Sequence, residues 1–209
     1  MKKIFGILFS ALIISSCEGQ TKKSSTIIIG GSCEDCESIL DYNVLKINPK
    51  STLTIQSFNK TEPKIKITGT VLQSDGKTPA KNVILYIYHT NRKGIYEPSK
   101  NPIGWEKRQG KFRGWMKTGS DGKFEFYTFR PASYPNGREP EHIHLYIKEP
   151  DKNPYYMDNY LFDDDPMLTS KERKSIDKRG GFGIIKLEHK NGISTANRDI
   201  ILGLNIPDY

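Results

Sequence analysis

Short apolar segments alternate with turn sequences along most of the chain, and this pattern limits the fold more than any other feature. The predicted strands are residues 66–72, 83–88, 123–129, 142–147 and 199–204. Turns lie between them, as in Ser74–Pro79 and Gly119–Gly122, where Asp, Gly and Pro favour reversal of the backbone. The best helical signal is short and covers Thr169–Lys178. The pattern predicts an all-β fold, an antiparallel β-sandwich with long loops and little helix.

Composition and charge narrow the class of protein. The chain has 209 residues, of which 35% are hydrophobic, which suffices for the core of a single domain. The formal net charge is +8. Loss of Lys2 and Lys3 with the segment described next leaves about +6, an ordinary value for a soluble domain. No long basic run with interleaved aromatic residues is present, so nucleic-acid binding is not expected.

The first residues predict an export signal. A positive head precedes an apolar stretch, Ile4–Ile14, that has the length of a signal-peptide core and is too short to span a bilayer. Ser15-Ser16-Cys17 follows and resembles the lipobox of bacterial lipoproteins. Residues 1–16 are therefore predicted to be a lipoprotein-type signal peptide. Cys17 is predicted to carry lipid and to anchor the exported protein to a membrane, on the periplasmic or outer-membrane side.

Residues 17–60 are expected to form a tether and an N-terminal segment ahead of a sandwich at residues 61–209. The segment contains Cys33-Glu34-Asp35-Cys36. A CxxC pair can be a redox motif, half of a metal site or a local disulfide. No second CxxC supplies the other ligands of a structural zinc site, and no thioredoxin-like pattern surrounds this one. In an exported protein, a local disulfide is the favoured interpretation.

Two histidines, His142 and His144, are the first candidates for chemistry. Residues i and i+2 of a strand point to the same face, so both imidazoles can converge on one metal ion. Ile143 and Leu145 predict a buried opposite face, and hence an internal strand in which paired imidazoles need partners. One metal ion would serve as the partner of both imidazoles. Because chance His-X-His pairs are common, two surface or core histidines stay open as the alternative.

Two tyrosines, Tyr96 and Tyr134, close loops that follow two of the predicted strands. Together with the His-X-His strand and a hairpin sequence at residues 112–122, these loops resemble the intradiol ring-cleavage dioxygenases, the family of catechol and protocatechuate 3,4-dioxygenases. The resemblance extends, in order, over about residues 67–166. It also makes residues 61–209 an intradiol-dioxygenase-like sandwich with long active-site loops.

The resemblance implies a mononuclear iron(III) centre with the ligands Tyr96, Tyr134, His142 and His144. Iron(III) is a hard Lewis acid, which phenolate oxygen suits better than thiolate does. Coordination removes tyrosine protons that are otherwise lost only near pH ~10. Tyr96 matches the family's tyrosine that substrate displaces, whereas Tyr134 stays bound. The implied reaction opens a catechol-type ring with O2 to a cis,cis-muconate-type diacid, and a homo-oligomer is compatible with the family.

The residues that face the substrate match the family less well. The family places an arginine three residues before the first histidine ligand, where it stabilises charge on the substrate, but Glu139 holds that position here. Arg138, one residue earlier, and Arg113 are the two candidates for the role. A third reading is that the role is missing and turnover is slow. Asn159 stands where the family has a glutamine near the ligands.

Other aromatic and imidazole side chains receive weaker expectations. Four aromatic residues are candidates for a catechol pocket, although core or rim positions are the commoner use: Trp105, Trp115, Tyr155 and Tyr156. His89 is expected to make a structural hydrogen bond, and His189 to lie on the surface beside a turn.

Two further functions stay open. The sequences Gly69-Thr70-Val71 and Asp121–Phe126 also resemble the strand pattern of non-catalytic β-sandwich modules of the transthyretin or carboxypeptidase-regulatory type, and the chain would then be a binding module on the cell envelope. Such modules do not need two tyrosines and two histidines at these positions. Alternatively, the iron site is intact and the substrate is a catechol carried on a larger plant or humic molecule.

Overall fold

The structure is a computed structural model that describes residues 28–137 and 139–209. The predicted signal peptide and Cys17 lie outside the described residues. The strands are β1 (Thr52–Thr54), β2 (Lys64–Leu72), β3 (Ile84–Tyr88), β4 (Arg113–Lys117), β5 (Lys123–Phe129), β6 (His142–Lys148), β7 (Tyr155–Tyr156), β8 (Tyr160–Phe162), β9 (Ile184–Ile185), β10 (Glu188–Lys190), β11 (Ile193–Asn197) and β12 (Ile200–Ile201). The α-helices are α1 (Asp41–Val44), α2 (Glu106–Gln109) and α3 (Ser170–Ser175), and 3₁₀ turns cover Cys36–Leu40 and Phe58–Lys60.

The strands form two six-stranded sheets. In the first sheet the order is β1-β5-β2-β11-β10, with β12 also pairing with β2. In the second it is β4-β3-β6-β8-β9, with β7 also pairing with β6. The central ladders, β2 with β5 and β3 with β4 and β6, are antiparallel as predicted. At the margins β1, β9, β11 and β12 pair in parallel, so both sheets are mixed.

Alternation of side chains produces the main core between the sheets. In β2 every second residue is buried, and Ile65 and Ile67 are fully covered. Phe126 of β5 and Ile143 of β6 approach from the two sheets and join the same cluster. Each such side chain contributes roughly 1.5–3 kcal/mol of hydrophobic stabilisation relative to exposure. The all-β fold with little helix is therefore confirmed.

A second, smaller core covers the outer face of the β4-β3-β6 sheet. Ile39 and Cys36 of the N-terminal segment pack there against aromatic side chains of the sheet, among them Tyr86 and Trp115. The indole Nε1–H of Trp115 donates to the Ile39 carbonyl at 2.7 Å. Cys33 and Cys36 form a disulfide, as the CxxC spacing predicted. The N-terminal segment is thus part of the folded body, which also gains β1 ahead of residue 61.

Element boundaries differ from prediction near the C-terminus. The predicted strand at residues 199–204 is reduced to β12, because the chain turns at Gly203, where φ is 79°. The hairpin of β10 and β11 turns at Asn191-Gly192 and was not predicted as a strand pair. The helix predicted at Thr169–Lys178 is present as α3, with the Thr169 hydroxyl accepting from the Glu172 amide at 3.4 Å. No helix within residues 28–137 and 139–209 is long and apolar enough to cross a membrane.

Candidate metal centre

The two histidines lie on β6, a central strand of the second sheet, at the positions that alternation predicts. Ile143 and Leu145 are fully buried in the core between the sheets. His142 and His144 therefore project to the opposite face, where their Nε2 atoms approach to 3.1 Å. The two imidazoles therefore share one face of the strand, as the two-residue period of a strand predicts.

Tyr96 and Tyr134 bring their hydroxyl oxygens to the same point. The two Oη atoms are 2.5 Å apart. The Oη of Tyr96 lies 2.8 Å from Nε2 of His144. The Oη of Tyr134 lies 3.2 Å from Nε2 of His142 and 3.4 Å from Nε2 of His144. Four Lewis-base atoms, two oxygens and two nitrogens, thus converge from three separate parts of the chain.

The spacing of these atoms fits a single ion at their centre. Ligands at right angles around a first-row metal, bound at roughly 2.0–2.1 Å, lie about 2.9 Å from one another. Within the described residues, no group of three or more His, Cys, Asp or Glu side chains is arranged to hold a metal ion. A metal at this position therefore depends on the two tyrosines, whose phenolates favour a hard, strongly Lewis-acidic ion such as iron(III).

Burial sets the protonation states of the ligands when no cation is present. Desolvation raises the pKa of Tyr96 and of Tyr134, so both phenols keep their protons. Desolvation lowers the pKa of His142, and it lowers the pKa of His144 well below the ordinary value. Both imidazoles are consequently neutral and ready to donate a lone pair. The phenols become ligands only when a bound cation replaces their protons.

Contacts behind the histidines fix the orientation of each ring. Nδ1–H of His142 donates to the Pro140 carbonyl at 2.7 Å, which leaves the lone pair on Nε2. Asn159 lies close enough to His144 for its side chain to raise the His144 pKa, against the larger lowering by desolvation and by His142. Asn159 is thus beside a candidate ligand, in keeping with its match to the family's glutamine.

The two tyrosine loops hold each other in place. Gly94, with φ at 74°, packs so closely on the Tyr134 loop that an added Cβ would stand 2.0 Å from the Ser133 carbonyl oxygen. The Asn91 side chain accepts from two backbone amides of its own loop, which form the turn that leads to Tyr96. The Thr90 hydroxyl donates across to the Ala132 carbonyl at 2.7 Å. The positions of both phenols therefore depend on one shared loop interface.

A cavity of about 290 Å³ opens beside the four ligands. Its lining consists of Glu34, Asp35, Tyr88, Tyr96, Arg108, Gln109, Tyr134, His144 and Tyr146. The volume is near the lower end for small-molecule sites, which suits one aromatic ring with a small substituent. Two larger cavities lie elsewhere, and none of the four candidate ligands lines either of them.

The two arginine candidates are placed differently. Arg138 lies outside the described residues. Arg113 does not line the cavity; its guanidinium is buried against Asp41 at 2.8 Å and reaches the Tyr86 hydroxyl at 3.5 Å. Glu139, which holds the position of the family's arginine, is exposed. Its negative charge raises the pKa of Tyr96, and desolvation and the neighbouring Tyr134 raise it more.

None of the four weaker aromatic candidates lines the cavity, in keeping with the commoner use of such residues in the core or at the rim. Trp115 and Tyr155 are core residues, and neither Trp105 nor Tyr156 borders the cavity. The aromatic walls are instead Tyr88 and Tyr146, which the sequence argument overlooked. Both had a signal: Tyr146 is two residues beyond His144 and so shares its face, and Tyr88 closes the strand that precedes the Tyr96 loop.

The two remaining histidines behave as expected. His89 is completely buried and bonds to the Thr90 carbonyl through Nδ1 and to the Thr128 hydroxyl through Nε2, at 2.8 and 2.7 Å. It therefore has a structural role. His189 lies exposed on β10.

Comparison with known proteins gives several matches. The family model described as Dioxygenase matches residues 45–193. Catechol 1,2-dioxygenase 1 of Acinetobacter lwoffii is 33% identical over 97 residues, which are 39% of this chain and 30% of that protein. The matched part thus spans under a third of this curated relative.

Solved structures share the fold at low identity. The dioxygenase domain of a carbohydrate-binding fusion protein from Streptomyces sp. SirexAA-E has a TM-score of 0.56 at 21% identity, over 74% of this chain and 87% of that one. The intradiol ring-cleavage dioxygenase of Tetranychus urticae has a TM-score of 0.55 at 16% identity, over 74% and 86%. For catechol 1,2-dioxygenase from Acinetobacter sp. ADP1 the values are 0.52 and 18%, over 79% and 66%. With the family model covering most of the chain, the protein belongs to the intradiol ring-cleavage dioxygenase family.

Proposed function

We propose that this protein is a non-haem iron(III) dioxygenase that opens a catechol-type ring between its two hydroxyl-bearing carbons and releases a cis,cis-muconate-type diacid. One observation carries the proposal. The Oη atoms of two tyrosines and the Nε2 atoms of two histidines meet within 2.5–3.4 Å at the wall of a ring-sized cavity. A non-catalytic sandwich module does not require these four side chains to meet, so their convergence favours the enzyme.

The four candidate ligands have two roles, which are to hold the metal ion and to give way to the substrate. His142 and His144 supply neutral nitrogen donors, while Tyr96 and Tyr134 supply oxygen. Bound iron(III) supplies Lewis acidity toward the catecholate and makes its ring carbon reactive toward O2. A catechol that chelates must lose two hydroxyl protons. Tyr96 borders the cavity and, by its match to the family's displaced tyrosine, would take one of these protons at Oη, and the other would pass to water.

The cavity walls orient the ring and exclude water. Tyr88 stacks on His144 and hydrogen-bonds through its hydroxyl to Tyr146 at 2.9 Å, so the aromatic wall is fixed before substrate enters. Such preorganisation places the reacting atoms without cost at the moment of reaction. For stabilisation of charge on the substrate we propose Arg138, next to the family's position. The buried pairing of Arg113 with Asp41 gives Arg113 a supporting role instead.

We also propose where the enzyme works. The sequence of residues 1–17 supports export and lipid attachment at Cys17, which would tether the domain to a membrane outside the cytoplasm. There the substrate is a free catechol or one carried on a larger plant or humic molecule, with O2 as the second substrate.

Iron content and colour test the metal site directly. Mature protein from iron-replete cells should contain about one iron per chain and absorb in the visible region through tyrosinate-to-iron charge transfer. Tyr134→Phe should lose the band and most of the iron. Tyr127→Phe is the matched control, because Tyr127 lies on β5 beside Lys66 and Glu125, away from the cavity. Colourless, iron-free wild-type protein, or a Tyr134→Phe variant with unchanged iron and oxygen uptake, overturns the proposal.

A further inference from the structure

We propose that the disulfide-closed loop Cys33–Cys36, together with Arg108, forms a charge-selective wall of the substrate cavity. The wall favours catechols with a neutral or cationic ring substituent over those with a carboxylate. The inference rests on the proposed function and adds to it the class of substrate that the site accepts.

The loop forms the end of the cavity that faces the metal ligands. Glu34 and Asp35, the two residues between the cysteines, line the same cavity as Tyr96, Tyr134 and His144. A catechol binds the metal through its two oxygens, so the far side of its ring and any substituent there point toward this loop. The substituent is therefore the part of the substrate that Glu34 and Asp35 meet.

The wall is tied to the strand that carries the histidines. The Tyr146 hydroxyl donates to the Glu34 carbonyl at 3.0 Å and also bonds to the Tyr88 hydroxyl at 2.9 Å. Tyr88 in turn stacks on His144. The disulfide holds the two ends of the loop together, and Asp35 within it has a φ of 63°. The loop backbone consequently has a fixed position relative to the four candidate ligands, and the Asp35 carboxylate, which is largely buried, has one with it.

The charges of the wall sum to a negative value. Arg108 pairs with Asp35 at 3.1 Å and with Glu34 at 3.4 Å. Among the described residues that line the cavity it is the one cation, and two carboxylates already share it. The Asp35 side chain is only 15% exposed, so its charge is poorly screened by water. A substrate carboxylate would have to displace one of these pairs or stay near uncompensated negative charge.

Three catechols of similar size isolate the effect of the substituent. 4-Methylcatechol is neutral, 3,4-dihydroxybenzylamine is cationic and 3,4-dihydroxybenzoate is anionic, while all three offer the metal the same two oxygens. Wild-type kcat/KM by oxygen uptake should be lowest for the benzoate. In the double variant Glu34→Gln/Asp35→Asn, the ratio of kcat/KM for the benzoate to kcat/KM for 4-methylcatechol should rise about tenfold. The reason is that two carboxylates that repel the substrate carboxylate have been removed. Glu37→Gln is the matched control, because Glu37 is exposed on the 3₁₀ turn that follows the loop but does not line the cavity.

Anaerobic calorimetric titration of the same protein with the same catechols gives a readout that does not depend on turnover. If the protein consumes no oxygen but still binds the benzoate more weakly than the other two catechols, the proposed function is contradicted and the charge-selective wall is supported. A Cys33→Ser/Cys36→Ser variant should keep its iron and lose part of the ranking, because the loop is no longer closed. An unchanged ratio in Glu34→Gln/Asp35→Asn, a wild-type preference for the benzoate, or no binding of any of the three overturns the inference.

Discussion

The ring of Tyr88 stacks on the imidazole of His144, with centroids 4.2 Å apart and planes inclined by 11°. The two residues lie directly opposite each other on β3 and β6. Tyr88 is not one of the four candidate ligands, yet this contact fixes the plane of the His144 ring. Loss of a residue that orients a metal ligand typically costs about 10- to 100-fold in metal affinity.

Replacement of Tyr88 by Leu should weaken iron binding about tenfold, because His144 loses the surface that fixes its plane. Competition with a coloured chelator measures the affinity. Tyr88→Phe keeps the stacked ring and removes only the hydroxyl that bonds to Tyr146, so it should bind iron nearly as well as wild type. Equal losses in the two variants would show that stacking is not what orients the histidine.

Gly94→Ala should reduce iron content by moving both tyrosines. A Cβ at residue 94 meets the Ser133 carbonyl at 2.0 Å and forces apart the loops that carry Tyr96 and Tyr134. Gly192→Ala is the matched control: its φ of 79° imposes a similar backbone penalty, but nothing lies within 4 Å of the added atom. Metal analysis and the visible band compare the two. Full iron loading of Gly94→Ala would mean that the loop interface is not needed for the site.

Arg113→Met should destabilise the fold by about 3–5 kcal/mol, the usual cost of leaving one partner of a buried ion pair alone. The pair with Asp41 has side-chain exposures of 5% and 11% and anchors the N-terminal segment to β4. Urea unfolding measures the loss. Arg108→Met removes an arginine that is 61% exposed and should cost under about 1 kcal/mol. A stable Arg113→Met variant with abolished turnover would instead assign Arg113 to catalysis.

The burial of His89 should make the free energy of unfolding depend on pH. Desolvation lowers the pKa of His89 from 6.5 to about 4. Between pH 6.5 and about 4, the unfolded chain binds more protons than the folded protein. The contribution of neutral His89 to the free energy of unfolding is therefore present above pH 6.5 and is lost as the pH falls toward 4. The loss is about 3 kcal/mol. His89→Gln should flatten the fall in unfolding free energy across this range, whereas His189→Gln, on the exposed β10, should leave it unchanged.

Of the four candidate ligands, the two histidines were chosen from a local rule of strand geometry, and the two tyrosines from the resemblance to the family. His142 and His144 share a face through the two-residue period of a strand, and both tyrosines follow strands whose apolar character is visible in the sequence. Tyr146 obeys the same period and could have been found with it. The central antiparallel ladders follow from alternation and turn chemistry in the same way.

The wall opposite the ligands was not predictable, because it is made by contacts between distant parts of the chain. Glu34 and Tyr146 are 112 residues apart in sequence, and Asp41 and Arg113 are 72 apart. Nothing local in Cys33–Cys36 indicates that its loop reaches the cavity. Conversely, Trp115 matched the expectation of an aromatic pocket residue, but packing of the N-terminal segment covers it.

Ring opening with heavy-isotope O2 decides whether the protein is an intradiol dioxygenase. The iron-loaded protein is incubated with 4-methylcatechol under labelled O2 in unlabelled water, and the product is analysed by mass spectrometry. We expect a methyl-substituted cis,cis-muconate-type diacid that contains both oxygen atoms of O2. A semialdehyde from cleavage beside the hydroxyl-bearing carbons, or recovery of unreacted 4-methylcatechol from red, iron-replete protein, would contradict it.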